Sequence, residues 1–280
     1  MEIKFTKMQG LGNDFVVLDY DEYKKTGKTP EELSLKLCNR KFSIGADGLI
    51  IVNPEVEDSD IGWIFYNSDG TPAQMCGNGM RCFAKYITDK GLINKKTFSV
   101  KTLAGVICPE ILKNGEVRVN MNNPVLTPSK IPFADEKNLD YNLTVKDKTF
   151  NLNAVSMGNP HCIIFTDEDT MKLAKTYGPE IEINPLFPEK TNVEFVNVNS
   201  KNEVTLSVWE RGCGITLACG TGACATTVAG ILRGYLENKV KVNLPGGSLN
   251  IEWHGCKNNP NQPVYMTGRA DYSFEGVINL

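Results

Sequence analysis

The sequence predicts an α+β fold of two pseudo-symmetric domains, each a curled mixed or antiparallel sheet wrapped around one central helix. Three observations carry that expectation. Two short stretches resemble each other, M-C-G-N-G-M-R-C from Met75 to Cys82 and A-C-G-T-G-A-C from Ala218 to Cys224. Other landmarks recur in the same order in both halves. Gly12-Asn13 is answered by Gly158-Asn159, and a strand ends nine residues before each cysteine, at Asn67 and at Glu210. Finally, many short strand-like runs accompany one long helix per half. The period is too long for a solenoid repeat, so duplication of a whole domain explains it better. The first half is expected over residues 1–122 and the second over 123–267, with the tail 268–280 packing back onto the first.

In chain order, Ile3 to Met8 alternates as a strand does. A glycine turn leads to a short buried strand, Phe15 to Leu18. Thr29-Pro-Glu-Glu32 opens a helix with a cap, a proline at the first position and a glutamate three after the cap. Strands follow at Leu49 to Val52 and Trp63 to Tyr66, then the strong turn Asn67-Ser-Asp-Gly70. A helix is expected from Asn78 to Lys90, stopped by Gly91, then strands at Phe98 to Lys101, Val106 to Leu112 and Val117 to Met121. In the second half a helix from Thr170 to Tyr177 should end at Gly178-Pro179. Val204 to Trp209 is a strand. A second long helix, Thr221 to Arg233, stops at Gly234 and is apolar or small on every side, as a buried helix reads. Val240 to Gly247, Ser248 to Trp253 and Val264 to Met266 complete the strands.

Composition excludes several classes. A net charge of -3 leaves no footprint for nucleic acid or an anionic membrane. No apolar run has the length of a signal peptide or a membrane span, so the expected location is the cytoplasm. The nine cysteines include no C-x-x-C pair, and there are two histidines, which argues against a metal cluster or a dithiol redox motif. Most of the cysteines read as small buried hydrophobes.

Cys76 and Cys219 differ because each stands at a helix start. Unpaired N–H groups and the helix dipole gather there. A thiolate in that place is stabilised and its pKa is expected to fall. The same N–H groups suit a carboxylate, and the glycines let a substrate approach the backbone. Two near-equivalent thiols, one from each half, suit a nearly symmetric reaction at a site between the halves. In racemisation or epimerisation one thiolate removes a proton from a stereocentre and the opposite thiol returns one. Asn13, Asn67, Asn159 and Asn192 fall at turns or strand ends, and Glu210-Arg211 follows a strand. Taken singly, such asparagines are ordinary turn chemistry and a Glu-Arg pair an ordinary surface pair.

Together these motifs are similar to those of the diaminopimelate epimerase family over nearly the whole length. The matching stretches are G-L-G-N-D-F (10–15), G-A-D-G (45–48), F-Y-N-S-D-G (65–70), the two cysteine stretches, S-M-G-N-P-H (156–161), T-N-V-E-F (191–195) and W-E-R-G (209–212). The resemblance implies a cofactor-independent isomerase, with no metal, that interconverts LL- and meso-diaminopimelate in lysine and peptidoglycan-precursor synthesis. It implies Cys76 and Cys219 as the acid/base pair, and substrate binding by Asn13, Asn67, Asn159, Asn192, Glu210 and Arg211. The backbones of Gly77, Asn78, Gly220 and Thr221 would hold the reacting carboxylate, and His161 and Glu210 would tune the thiols. It further implies a homodimer with a small-molecule substrate. Two departures stand out: Gly48 where some members carry a substrate-touching Gln, and Cys213 six residues before Cys219.

Two other readings compete. Proline racemases and hydroxyproline epimerases share the cysteine pair but usually carry C-G-H-G at the first cysteine and Asp before the second; here Asn78 and Ala218 stand in those places. A non-catalytic amino-acid-binding protein would have no use for two cysteines at matched helix starts.

Overall fold

The computed structural model describes residues 1–280. They form two compact units, Met1–Asn120 with Thr267–Leu280, and Met121–Met266.

The first unit contains β1 (Glu2–Gly10), β2 (Asn13–Leu18), α1 (Tyr20–Lys25), α2 (Pro30–Leu37), β3 (Gly48–Asn53), β4 (Ile61–Asn67), α3 (Gly77–Asp89), β5 (Val100–Thr102), β6 (Gly105–Ile107), β7 (Glu110–Ile111) and β8 (Val117–Asn120). Its main sheet starts at the last strand of the chain, Asp271–Asn279, and continues β1-β2-β3-β4-β5-β6. Most neighbours are antiparallel, but β2/β3 and β4/β5 run parallel. A parallel pair needs a crossover. Helices α1 and α2 lie in the first and α3 in the second. Helix α3 packs against β1, β2 and β3, and its Phe83 meets Trp63 of β4 edge-on at 5.9 Å. Four successive strands reach one helix only if the sheet curls around it. Ten residues of α3 are buried, including Arg81. At α2, Thr29 and Glu32 form the reciprocal cap that T-P-E-E implies.

The second unit contains β9 (Tyr141–Val145), β10 (Lys148–Ser156), β11 (Pro160–Phe165), α4 (Thr170–Glu182), β12 (Asn192–Ser200), β13 (Glu203–Glu210), β14 (Gly214–Ile215), α5 (Gly220–Leu232), β15 (Lys239–Leu244), β16 (Gly247–Trp253) and the first three residues of β17 (Val264–Gly268). Within this unit the strand order runs β17-β16-β15-β13-β12-β11-β10-β9, with β14 paired to β13. The parallel pairs are again two, β11/β12 across α4 and β13/β15 across α5. The same sequence of hairpin and crossover therefore occurs in each unit. Helix α5 touches β16 as well as β10, β11 and β12, so this sheet too curls around its helix. The other face carries α4, which packs on β12 and β13 over a core that includes Phe150, Leu173, Ile181 and Phe195.

Several expectations need correction. Helix α4 does not stop at Tyr177 but continues to Glu182. Gly178 is there for close packing, since a Cβ at that position would lie 2.5 Å from Cβ of Trp209. Val106 to Leu112 is not one strand. It divides into β6 and β7, which belong to different pairings. Helix α1, the hairpin β9–β10, strand β12 and the final strand were not anticipated. The final strand leaves most residues exposed on both faces, so no apolar alternation marks it.

Candidate active site

In the first unit Cys76 is the N-cap of α3. Its backbone is extended (φ -139°, ψ 118°), and Sγ accepts the Gly79 N–H at 3.5 Å. Asn13, at the start of β2, meets this cap. Its Oδ1 accepts from the Cys76 thiol at 3.6 Å and from Asn78 Nδ2 at 3.2 Å. The other end of the carboxamide is fixed, because Nδ2 donates to Asp47 Oδ2 at 2.7 Å. Behind it lies a charge network. Arg40 grips both Asp14 oxygens at 3.1 and 2.6 Å and reaches Asp47 at 2.7 Å. The buried Lys7 lies 2.7 Å from Asp14 and donates to the Gly45 carbonyl. Burial alone would raise the Asp14 carboxyl, but Arg40 and Lys7 outweigh it and hold it at about 2. The fully buried Arg81 donates to Asn78 Oδ1 at 2.9 Å and to the Arg269 carbonyl at 3.1 Å. Asn67 ends β4 opposite Gly48, and its Nδ2 donates to Thr71 Oγ1 at 3.0 Å.

In the second unit Cys219 caps α5 in the same manner (φ -120°, ψ 105°), and Sγ accepts the Gly222 N–H at 3.4 Å. Both helices are 13 residues long and begin one residue after their cysteine. Gly77 and Asn78 form the first turn of α3, and Gly220 and Thr221 that of α5, so each turn presents N–H groups toward any anion placed there.

The surroundings of Cys219 differ from those of Cys76. Burial pushes the Cys219 thiol well above its usual pKa, and the Glu210 and Glu194 carboxylates push the same way. The Thr221 hydroxyl and the Gly222 N–H oppose them too weakly. The expectation of a lowered thiol pKa at a helix start is thus overturned for Cys219. One helix end does not offset desolvation beside two carboxylates. Glu210 is itself raised by burial, against hydrogen bonds from Thr216 and Cys219.

His161 is fully buried, with Nδ1 2.7 Å from Glu194 Oε1 and Nε2 3.0 Å from Asn159 Oδ1. Glu194 was missed in the sequence. A glutamate between Val193 and Phe195 carries no local sign of burial, yet it is fully buried on β12 and its Oε2 has no partner. Ligand atoms of His161, Glu194 and Cys219 lie within 4.8 Å of one another, a donor set zinc accepts, although a hydrogen bond already joins two of them. Asn192 is buried, and its carboxamide ties the Pro160 carbonyl to the Arg211 N–H at 2.8 and 3.0 Å. Arg211 Nη1 donates to the Glu189 carbonyl at 3.0 Å. The turn after β13 is clamped by the buried Glu182, which accepts from Trp209 Nε1 at 2.7 Å and from the Gly212 N–H at 2.9 Å. Glu210-Arg211 is therefore no loose surface pair.

Each unit thus sets a cysteine at a helix N-terminus, and in the first the Asn13 carboxamide lies against the thiol. The second adds two carboxylates and an imidazole to its thiol. This equipment suits general acid–base chemistry on a substrate bearing a carboxylate.

Comparison with known proteins agrees with that chemistry. Residues 5–127 and 153–273 match the family model described as diaminopimelate epimerase. The chain is 49% identical over 287 residues to the diaminopimelate epimerase of Halothermothrix orenii, covering 99% of this chain and 98% of that one. It is 49% identical over 280 residues to the diaminopimelate epimerase of Carboxydothermus hydrogenoformans, covering 99% and 100%. Among solved structures, the Bacillus anthracis phenazine biosynthesis protein of the PhzF family aligns with a TM-score of 0.73 at 15% identity over 100% of both chains. The hydroxyproline epimerase of Agrobacterium vitis aligns with a TM-score of 0.69 at 12% identity, over 100% of this chain and 93% of that one. At such identities the structural likeness is one of fold.

Proposed function

The chain belongs to the diaminopimelate epimerase family, and on that premise we propose that Cys76 and Cys219 are its acid/base pair. The chain is an isomerase of amino-acid biosynthesis, and its reaction is the epimerisation of LL-diaminopimelate to the meso isomer on the route to lysine. One cysteine, as thiolate, takes the α-proton. The other, as thiol, returns a proton to the opposite face, so no net proton is consumed. The reverse reaction exchanges the roles. In the free enzyme Cys219 is the thiol, because burial and two carboxylates disfavour its ionised form.

The matched cysteine caps of α3 and α5 carry this reading. The N–H groups of Gly77, Asn78, Gly220 and Thr221 hold the reacting carboxylate. Asn13, Asn67, Asn159, Asn192, Glu210 and Arg211 hold the remaining polar groups of the substrate, and His161 and Glu210 tune the thiols. The two epimerase halves are residues 1–122 with the tail from 268, and 123–267. The protein works without a cofactor, as a homodimer in the cytoplasm. No helix is long and apolar enough to cross a membrane.

Proton NMR in deuterated water, under reductant, tests the proposal with LL-diaminopimelate and L-proline offered separately. Deuterium at the α-carbon of diaminopimelate with growth of the meso isomer is the expected result, and Cys76→Ser and Cys219→Ser should each abolish net epimerisation. Full activity in either serine variant would refute the two-thiol mechanism.

A further inference from the structure

We infer that Glu194 is a positioning residue for substrate binding, acting through His161 on the carboxamide of Asn159. The inference rests on the substrate-binding role proposed for Asn159.

The three residues form one buried chain of hydrogen bonds. Glu194 lies on β12 and His161 on the neighbouring parallel strand β11, where Ile163 faces Glu194 and His161 faces Asn192. Both side chains are fully buried. Glu194 Oε1 lies 2.7 Å from Nδ1, and Nε2 lies 3.0 Å from Asn159 Oδ1. An amide oxygen only accepts, so Nε2 must carry the hydrogen in that bond. One further hydrogen is shared between Nδ1 and Oε1. Without Glu194 the ring would be held at one nitrogen only and could turn away from Asn159. With it, the ring is anchored at both nitrogens, Asn159 Oδ1 stays on Nε2, and the Asn159 NH2 is turned away from the ring toward a substrate carboxylate.

A buried carboxylate is an expensive device for mere packing. Its second oxygen, Oε2, has no partner. Room is also made for it, since a Cβ on Gly222 would lie 2.6 Å from Oε1. A glutamate that is kept buried under these conditions serves something an apolar residue of its size would not.

The test compares Glu194→Leu with Glu194→Gln and Asn159→Ala in the full-length enzyme, by steady-state kinetics and by 15N NMR of the His161 ring. Glutamine keeps the chain, because its amide can donate to Nδ1 and leave the hydrogen on Nε2. Leucine fills the space but releases the ring. The expected result is a rise in KM of about tenfold or more for Glu194→Leu, the loss of one hydrogen bond, with kcat changed less. Glu194→Gln should stay within about threefold of wild type on the same reasoning. In the wild type the ring should show a hydrogen on Nε2. An Nε2 without hydrogen in the wild type, an unchanged KM for Glu194→Leu, or equal losses in both variants would overturn the inference. The wild-type NMR decides even if a variant fails to fold. If Asn159→Ala leaves KM unchanged, the substrate-binding role of Asn159 fails instead, while the ring spectra still report whether Glu194 holds the ring.

Discussion

The Asn13 carboxamide donates to Asp47 Oδ2 at 2.7 Å, and this bond decides which end of Asn13 faces Cys76. With Nδ2 engaged, Oδ1 must point to the thiol and to Asn78. Asp47 is held in turn by Arg40. Replacing Asp47 by alanine therefore releases the amide to flip. Steady-state kinetics of Asp47→Ala should show KM for diaminopimelate raised by about tenfold, as expected for one charge-assisted hydrogen bond. Asp47→Asn keeps an acceptor for Nδ2 and should lose less.

The two helices have glycine at the same place, three residues after the cysteine, but the places are not equivalent. A Cβ on Gly222 would lie 2.6 Å from Glu194 Oε1 and 3.2 Å from Cys219 Sγ, whereas one on Gly79 would meet Phe15 and Ile50 at 3.4 to 3.5 Å. Gly222→Ala should lower the melting temperature, at about 1–3 kcal/mol of overpacking, and reduce kcat/KM by at least an order of magnitude. Gly79→Ala should be tolerated on both measures. Equal effects from the two alanines would show that the spacing around Glu194 does not constrain the site.

Stability at acid pH should depend on Asp14. Its carboxyl lies at about 2 in the folded protein against an ordinary 3.8. A lowered folded value means that the charged form favours folding. The contribution is fully present above the unfolded value and is lost as pH falls from about 4 toward 2, amounting to about 2 kcal/mol. Urea unfolding of wild type and Asp14→Asn across this range should show curves that are separated at pH 6 and converge near pH 2.

Alkylation should report the environment of Cys219. Because burial and then the Glu210 and Glu194 carboxylates raise its pKa, carbamidomethylation followed by peptide mapping should find it slow at neutral pH and faster only in alkali. Glu210→Gln removes one of those carboxylates and should move the alkylation profile of Cys219 to lower pH. A profile unmoved by this substitution would mean that Glu210 does not act on the thiol.

Much of this arrangement was legible in the residues themselves. The cysteine caps could be found because C-G-x-G before an apolar run, with a glycine some thirteen residues later, marks both ends of a helix by local chemistry. Asn13 and Asn159 each follow a glycine at a turn, which by itself is ordinary turn chemistry; the resemblance of their stretches singled them out. Glu194, Asp47 and Arg81 could not be found from local pattern. Each sits in an unremarkable local context, a strand, a turn and a helix face, and becomes significant only through a partner distant in sequence: His161, Asn13 and the Arg269 carbonyl, respectively. Gly178 misled for a related reason. A glycine before a proline reads as a stop, yet it marks the close approach of α4 to Trp209.

The sequence by itself determined the α+β class, the duplicated order of elements and the two helix starts with their thiols, because periodicity, caps and turns act over a few residues. Only the tertiary structure decided the burial and the carboxylate neighbours that raise the Cys219 thiol, and the contacts of the Asn13 and Asn159 carboxamides. Burial and the electrostatic field of a carboxylate depend on which strands lie side by side, and no local pattern contains that information.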